Sequence, residues 1–215
     1  MYYQAEKEIK RIVSLLSIPD IEEVDILDQI DHGELVSRIV LMLADRIGVD
    51  ARTREVLNNA SVLHDVGKLK IAKNIYGRGR TFHVVEARFM RTHAKLGAEM
   101  LSECEYPDDV IDAVLHHHEA YDGSGYPSNL EGENIPYVSR IIIVCDAFAA
   151  LVSDRPYRRG YDRNTALSMM IEDNKAYDIR LLTEFIGLTK EPEFEKIMDF
   201  VKEINDKHAY FAKQS

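Results

Sequence analysis

The segment HHHEAYDGSGYP, His116 to Pro127, places three consecutive histidines, an acid and a glycine-rich turn in one short stretch. Imidazoles and carboxylates are the usual donors for divalent cations that need neither thiolate nor an all-oxygen cage. Elsewhere His64 and Asp65 are adjacent, and Lys68 follows them at a spacing that lets all three face one pocket. A histidine–aspartate pair of this kind can hold metal ions from one turn, the carboxylate bridging two of them. A nearby lysine then balances phosphate charge as a point cation. The same pair also suits a hydrogen-bonded core histidine and a helix-end acid, because buried polar groups ordinarily find partners. His93 follows Thr92, a candidate N-cap, and His32 lies one helical turn after Asp28. Asp146 interrupts the apolar run RIIIVCDAFAALV, where a carboxylate must be paired or metal-bound; Arg140 is a candidate partner.

The elements that must position these residues read at helical period. HGELVSRIVLMLADRIG aligns Leu35, Ile39, Met42, Leu43 and Ile47 and stops at Gly48; TREVLNNASVLHDVG aligns Val56, Leu57, Ala60 and Leu63 and runs into His64. Further helices are expected at 84–103, 107–118, 136–153, 164–173, 178–188 and 192–212, with Pro107, Pro136 and Pro192 near their starts. In the helix before the histidine triplet, Val110, Ile111, Val114 and Leu115 form the apolar face. His116 falls with Asp109 and Asp112 on the polar side, a solvated bystander, while His117 and His118 turn inward as two ligands. The segments 70–80 and 122–136 carry the Gly, Asn and Pro chemistry of ordered loops. No strand pattern, internal repeat or low-complexity tract interrupts this, so the expected fold class is all-α. A short helical segment over 1–27 precedes one domain over 28–215.

Bulk composition narrows the function classes. Of 215 residues, 46% are hydrophobic, enough for a substantial core. The net charge of −10 disfavours a nucleic-acid polymer or an anionic membrane as partner, yet leaves room for a small phosphorylated substrate met by local positive charge. The apolar runs are broken by charge before a bilayer span, and MYYQAEKEIKR lacks a signal-peptide pattern, so the expected location is cytoplasmic. Cys104 and Cys145 show no paired spacing and are expected as reduced thiols.

The pieces LHDVGK, THAKLGAEML, HHEAYDGSGYP, EGENIPYVSRIIIVCDAFAALVSDRPYR and AYDIRLL together resemble the HD-GYP subgroup of HD-domain metal phosphohydrolases, over about residues 28 to 190. The resemblance implies an HD-domain helical bundle with additional C-terminal helices around two or three divalent metals, iron or manganese ahead of zinc, nickel or magnesium. The implied reaction is hydrolysis of cyclic di-GMP to pGpG and onward to GMP, with another cyclic dinucleotide or nucleotide phosphoester, or a messenger-binding module, as the alternatives. Carried over by position, His64, Asp65, His93, His117, His118 and Asp146 are the implied metal ligands, with Asp65 bridging and catalytic. Asp28 and His32 match a third-metal pair, the aspartate one methylene shorter than the glutamate usual there. Lys68 is the implied phosphate-side and catalytic cation; Gly125, Tyr126, Pro127, Arg155 and Arg158 are implied substrate contacts. The Gly-Tyr-Pro loop is also the implied docking point for a messenger synthase or regulatory protein, and a homodimer is a further expectation. The sequence departs from the family pattern at Ala72, Ala149 and Ile179. No receiver or sensory domain accompanies these motifs, so regulation is expected from the N-terminal segment or a partner.

Overall fold

The computed structural model describes residues 2–18, 23–75, 88–155 and 158–211. The all-α expectation holds: among the described residues the only β-type pairings are two isolated bridges, Asp122 with Glu131 and Arg155 with Arg158. The α-helices are α1 (Tyr2–Leu15), α2 (Glu23–Ile47), α3 (Ala51–Leu63), α4 (Lys68–Ile75), α5 (His93–Glu103), α6 (Asp108–Leu115), α7 (Tyr137–Val152), α8 (Arg163–Glu172), α9 (Ile179–Leu188) and α10 (Glu195–Phe211).

Local chemistry explains the boundaries. Gly48, at φ +70, ends α2 and sends its N–H to Ala44 O, 3.0 Å away, a left-handed close that glycine adopts without strain. Asp50, Asp162 and Asp178 accept backbone N–H groups at the starts of α3, α8 and α9. Thr92 behaves differently from the cap expected of it, because its hydroxyl donates to Phe89 O instead.

α2 is the central strut. Leu35, Val36, Ile39, Val40, Leu43 and Ala44 are fully buried, and the helix packs against α1 and α3 as well as α7, α9 and α10. Burying each such Leu or Ile stabilises the fold by about 1.5–3 kcal/mol. Phe148, Phe185 and Phe194 meet edge to face at 5.2–6.2 Å where α7 and α9 converge. Ala5, Ile9 and Ile12 of α1 belong to the same buried cluster, and α2 starts at Glu23, so one helix runs through the 27/28 boundary drawn from sequence.

Several expected boundaries change. The helix expected over 107–118 ends at Leu115, and His116, His117 and His118 form the turn beyond it. The stretch 70–80 is not a loop from its start, because α4 carries the chain helically to Ile75; residues 76–87 lie outside the described ones. Of the helix expected over 84–103, residues 84–87 lie outside the described ones, 88–90 are helical, and a turn at 91–92 separates them from α5, which begins at His93. Both cysteines are buried free thiols. Among the described residues no helix is long and apolar enough to cross a membrane.

Candidate metal centre

The histidine–aspartate pair is set by two glycine contacts at backbone distance. A Cβ on Gly33 would lie 2.5 Å from Val62 O, so α2 and α3 touch there without side chains between them. That approach sets His32 beside His64, ring centroids 5.2 Å apart. After Leu63 the chain turns through residues 64–67, and a Cβ on Gly67 would fall 2.1 Å from His93 O and 2.5 Å from Gly97 N. Only glycine lets this turn press onto α5, and the contact brings His93 to Asp65.

The Asp65 carboxylate separates two groups of histidines. Its Oδ1 lies 3.2 Å from His93 Nε2 and 3.8 Å from His117 Nε2; its Oδ2 lies 3.4 Å from His64 Nε2 and 3.6 Å from His32 Nε2. His118 completes the first group, Asp65–His93–His117–His118, and the second is His32–His64–Asp65. Asp146 approaches the second group, with Oδ1 at 2.9 Å from His32 Nε2 and 3.6 Å from His64 Nε2. The Lys68 ammonium contacts Asp65 Oδ2.

The donor atoms are arranged for cations. His64, His93 and His117 each donate Nδ1–H to a backbone carbonyl, Ser61, Met90 and Val114 respectively, at 2.6–2.8 Å. Fixing the proton on Nδ1 turns Nε2 to the cluster as the atom that can ligate a metal, the second-shell arrangement of metal-ligating histidine. His93 Nε2 and His117 Nε2 then point lone pairs at one another across 3.1 Å. His64 Nε2 and Asp65 Oδ1 are buried without a hydrogen-bond partner. Opposed lone pairs and orphaned buried polar atoms are costly unless a cation, a metal ion or a proton at His64, fills the space between them. The residues present therefore fit divalent metal ions.

The electrostatics agree. Burial disfavours an ionised Asp65, yet Lys68 and His64 outweigh it and hold the carboxyl well below its usual range. Burial likewise opposes an ionised Asp146, which contacts from His32 and His64 hold low. At His64 burial disfavours the cation, but the Asp65 and Asp146 carboxylates prevail and raise it to about 10, so the cluster draws positive charge to this point. Burial pushes His117 down to about 4 and His118 well below the ordinary histidine value, leaving both as neutral donors.

Eight of the residues singled out by sequence thus converge: His32, His64, Asp65, Lys68, His93, His117, His118 and Asp146. Asp28 does not join them; it is exposed one turn before His32 and belongs to neither group. Arg140 is not the partner of Asp146 but pairs with Asp178 at 2.9 Å. His116 is on the polar side of α6, as expected, with Nε2 3.3 Å from Asp112, but it is buried rather than solvated. Burial follows because the chain beyond it folds back and sets Glu119 3.4 Å from His116 Nδ1.

Of Gly125, Tyr126 and Pro127, Tyr126 lies against the centre, while Gly125 packs on the Glu119–Ala120 backbone and Pro127 is exposed. Tyr126 N–H donates to His118 O at 3.0 Å, and its ring stacks on His118 with centroids 4.8 Å apart. The guanidinium of Arg91, a residue given no role from sequence, lies 5.1 Å over the Tyr126 ring. Arg158 has another task than expected: its guanidinium donates to the carbonyls of Ala150 at 2.7 Å and Leu151 at 3.1 Å, capping the end of α7. Arg155 pairs with Arg158 through the backbone. Ala149 is fully buried in the core, and Ile179 is exposed at the start of α9; the Ala72 side chain lies outside the described ones.

Sequence reasoning missed Glu119, which accepts Ser128 N–H and Leu130 N–H from the same loop. Its signal was weak, a single acid just past a helix end.

Comparison with known proteins agrees with this geometry. A family model described as the HD domain matches residues 21–181. A cyclic di-GMP phosphodiesterase of Pseudomonas aeruginosa is 34% identical over 157 residues, 72% of this chain and 38% of the relative. A 3'3'-cGAMP-specific phosphodiesterase of Vibrio cholerae is 31% identical over 142 residues, 66% of this chain and 31% of the relative. The chain thus spans well under half the length of these two relatives. Among solved structures, an HDG"Y"P protein from Bdellovibrio bacteriovorus superposes with a TM-score of 0.64 at 20% identity, covering 88% of this chain and 62% of that one. With the histidine–aspartate pair at the centre of a helical bundle and the family model spanning most of it, the chain belongs to the HD-domain family and carries the motifs of its HD-GYP subgroup.

Proposed function

We propose that the protein is a metal-dependent phosphodiesterase of cyclic dinucleotides, with cyclic di-GMP as substrate and the linear dinucleotide pGpG, then GMP, as products. The observation that carries this reading is the Asp65 carboxylate, which belongs to two ligand groups at once. In this reading His93, His117 and His118 hold one divalent ion, His32, His64 and Asp146 hold the other, and Asp65 joins them. A third ion at Asp28 is not part of the proposal. The imidazole and carboxylate donors, without cysteine, suit iron or manganese.

Two bound ions would supply Lewis acidity to phosphoryl oxygens and a nucleophilic water at neutral pH. The chain's own residues do the rest. Carbonyls of Ser61, Met90 and Val114 keep three imidazoles in the ligating tautomer, and Lys68 places a cation beside Asp65, where it can meet a phosphate oxygen. Tyr126 forms a wall beside His118, suited to a ring-shaped substrate. A cyclic dinucleotide messenger is made and consumed inside cells, consistent with the expected cytoplasmic location. The Vibrio relative favours one second reading, 3'3'-cGAMP as the preferred substrate.

The test is turnover of cyclic di-GMP, 3'3'-cGAMP and a panel of nucleotide phosphoesters by anaerobically metallated protein, with products identified by mass. pGpG formation faster than any other product supports the main reading. Fully metallated protein that binds cyclic di-GMP without cleaving it would instead make this a messenger-binding module.

A further inference from the structure

We propose that Glu119 is a positioning residue whose carboxylate splints the Tyr126 loop against His118 and so fixes the wall of the substrate pocket. The pocket role rests on the phosphodiesterase reading above; the splint itself does not.

Glu119 is 2% exposed and uses both oxygens on one loop. Oε1 accepts Ser128 N–H at 2.7 Å and Oε2 accepts Leu130 N–H at 3.0 Å. His116 Nδ1 lies 3.4 Å from Oε1. Two amides on a buried carboxylate form charge-assisted bonds that offset its desolvation. A glutamine could accept with one oxygen only and would turn its NH2 toward the second amide.

The loop held this way is wrapped tightly around its own base. A Cβ on Gly125 would lie 2.2 Å from Ala120 N and 2.4 Å from Glu119 C, so the turn crosses directly over the residue that clamps it. Gly132 N–H to Tyr121 O at 2.9 Å closes the base, and Tyr126 N–H to His118 O ties the tip to the metal centre. Glu119 follows His117 and His118 directly in sequence, so one short segment supplies two imidazoles and the strut for the loop covering them. Loss of the strut frees Tyr126 from His118 while leaving His117 and His118, in the turn just past α6, in place.

The experiment compares wild type with Glu119→Gln, both as manganese-reconstituted full chain. Metal content, hydrogen exchange of the peptide over 120–131, and kinetics on cyclic di-GMP and on bis(p-nitrophenyl) phosphate are measured. The small diester needs the metal centre but not the wall. The splint predicts retained metal and loop exchange faster by about tenfold or more, in line with loss of a charge-assisted bond. KM for cyclic di-GMP should rise by about tenfold, with kcat and the small-diester rate falling far less. Unchanged loop exchange overturns the splint whatever the activity. Faster exchange with equal losses on both substrates overturns the pocket role. Wild type that cleaves the small diester but not cyclic di-GMP removes the phosphodiesterase reading and leaves the exchange result to decide the splint. Gly125→Ala, which shifts the loop with the carboxylate in place, must give the same pattern; wild-type KM and exchange in that variant overturn the proposal.

Discussion

Gly67→Ala should break the metal centre without touching a ligand. Gly67 is not at positive φ, so alanine is acceptable to the local backbone, and the cost is steric. The new Cβ would sit 2.1 Å from His93 O, where ordinary contact begins near 3.4 Å, so turn and helix must part by about 1.3 Å. Both atoms it meets, His93 O and Gly97 N, are backbone and cannot rotate away. Overpacking of this kind costs about 1–3 kcal/mol, and a chain of this size loses about 2–4 °C in Tm per kcal/mol. The functional loss should be larger: a 1 Å misplacement at a reacting site can cost about a hundredfold in rate. His93 is the residue carried away, so the ion beside Asp65 Oδ1 should be lost first and metal content should fall from two toward one per chain. The assays are thermal unfolding, elemental analysis and turnover. Gly48→Ala is the control: it is strained by its φ of +70 but meets nothing within 4 Å, so it should lower Tm and keep both metals. Gly67→Ala with two metals and wild-type turnover would refute the claim that this contact sets the centre.

His116→Ala should retain both metals with a lower Tm, since it leaves Glu119 with an unmatched buried face, whereas His117→Ala should lose at least one; equal metal loss in both would show that the triplet acts as one unit. Metal affinity should rise with pH, because the proton that His64 holds to about 10 must leave when a cation arrives. Calorimetry in buffers of different ionisation enthalpy should detect that release at pH 7–8. The same raised pKa stabilises the metal-free fold fully below the ordinary histidine value and loses that contribution as pH climbs through about 10. Metal-free protein should therefore weaken on the alkaline side, and a flat Tm from pH 7 to 10 would argue against a proton at His64. Arg158→Gln should lower Tm by uncapping α7 and leave KM unchanged; a raised KM with an unchanged Tm would restore Arg158 as a substrate contact.

Helical periodicity made most of the fold readable from sequence, while the residues that converge on Asp65 were singled out mainly by the resemblance to the HD-GYP subgroup. The apolar stripe of α3 leads straight to His64, whereas α6 ends at Leu115, so His116, His117 and His118 take their directions from the turn beyond it and not from continued helical phase. The rest depends on contacts distant in sequence. His32 gained its place from the Gly33–Val62 approach, and Asp28 lost its place because one turn along α2 carries it to the surface. His116 reads as solvated until Glu119 and its loop fold over it. Arg158 looks available for phosphate in a linear reading of DRPYR, yet the chain curls so that its guanidinium meets the open carbonyls of α7. α4 was missed because Lys68–Ile75 is short and bordered by glycine, a composition that loops share.

The most direct test of the shared carboxylate is the metal count and spin coupling of manganese-reconstituted protein, wild type against Asp65→Asn, read together with pGpG formation. Two coupled ions per chain in wild type, with coupling and turnover both lost in Asp65→Asn, is the expected result. Two uncoupled ions, a single ion in fully active wild type, or an Asp65→Asn variant that keeps coupling and turnover would contradict it.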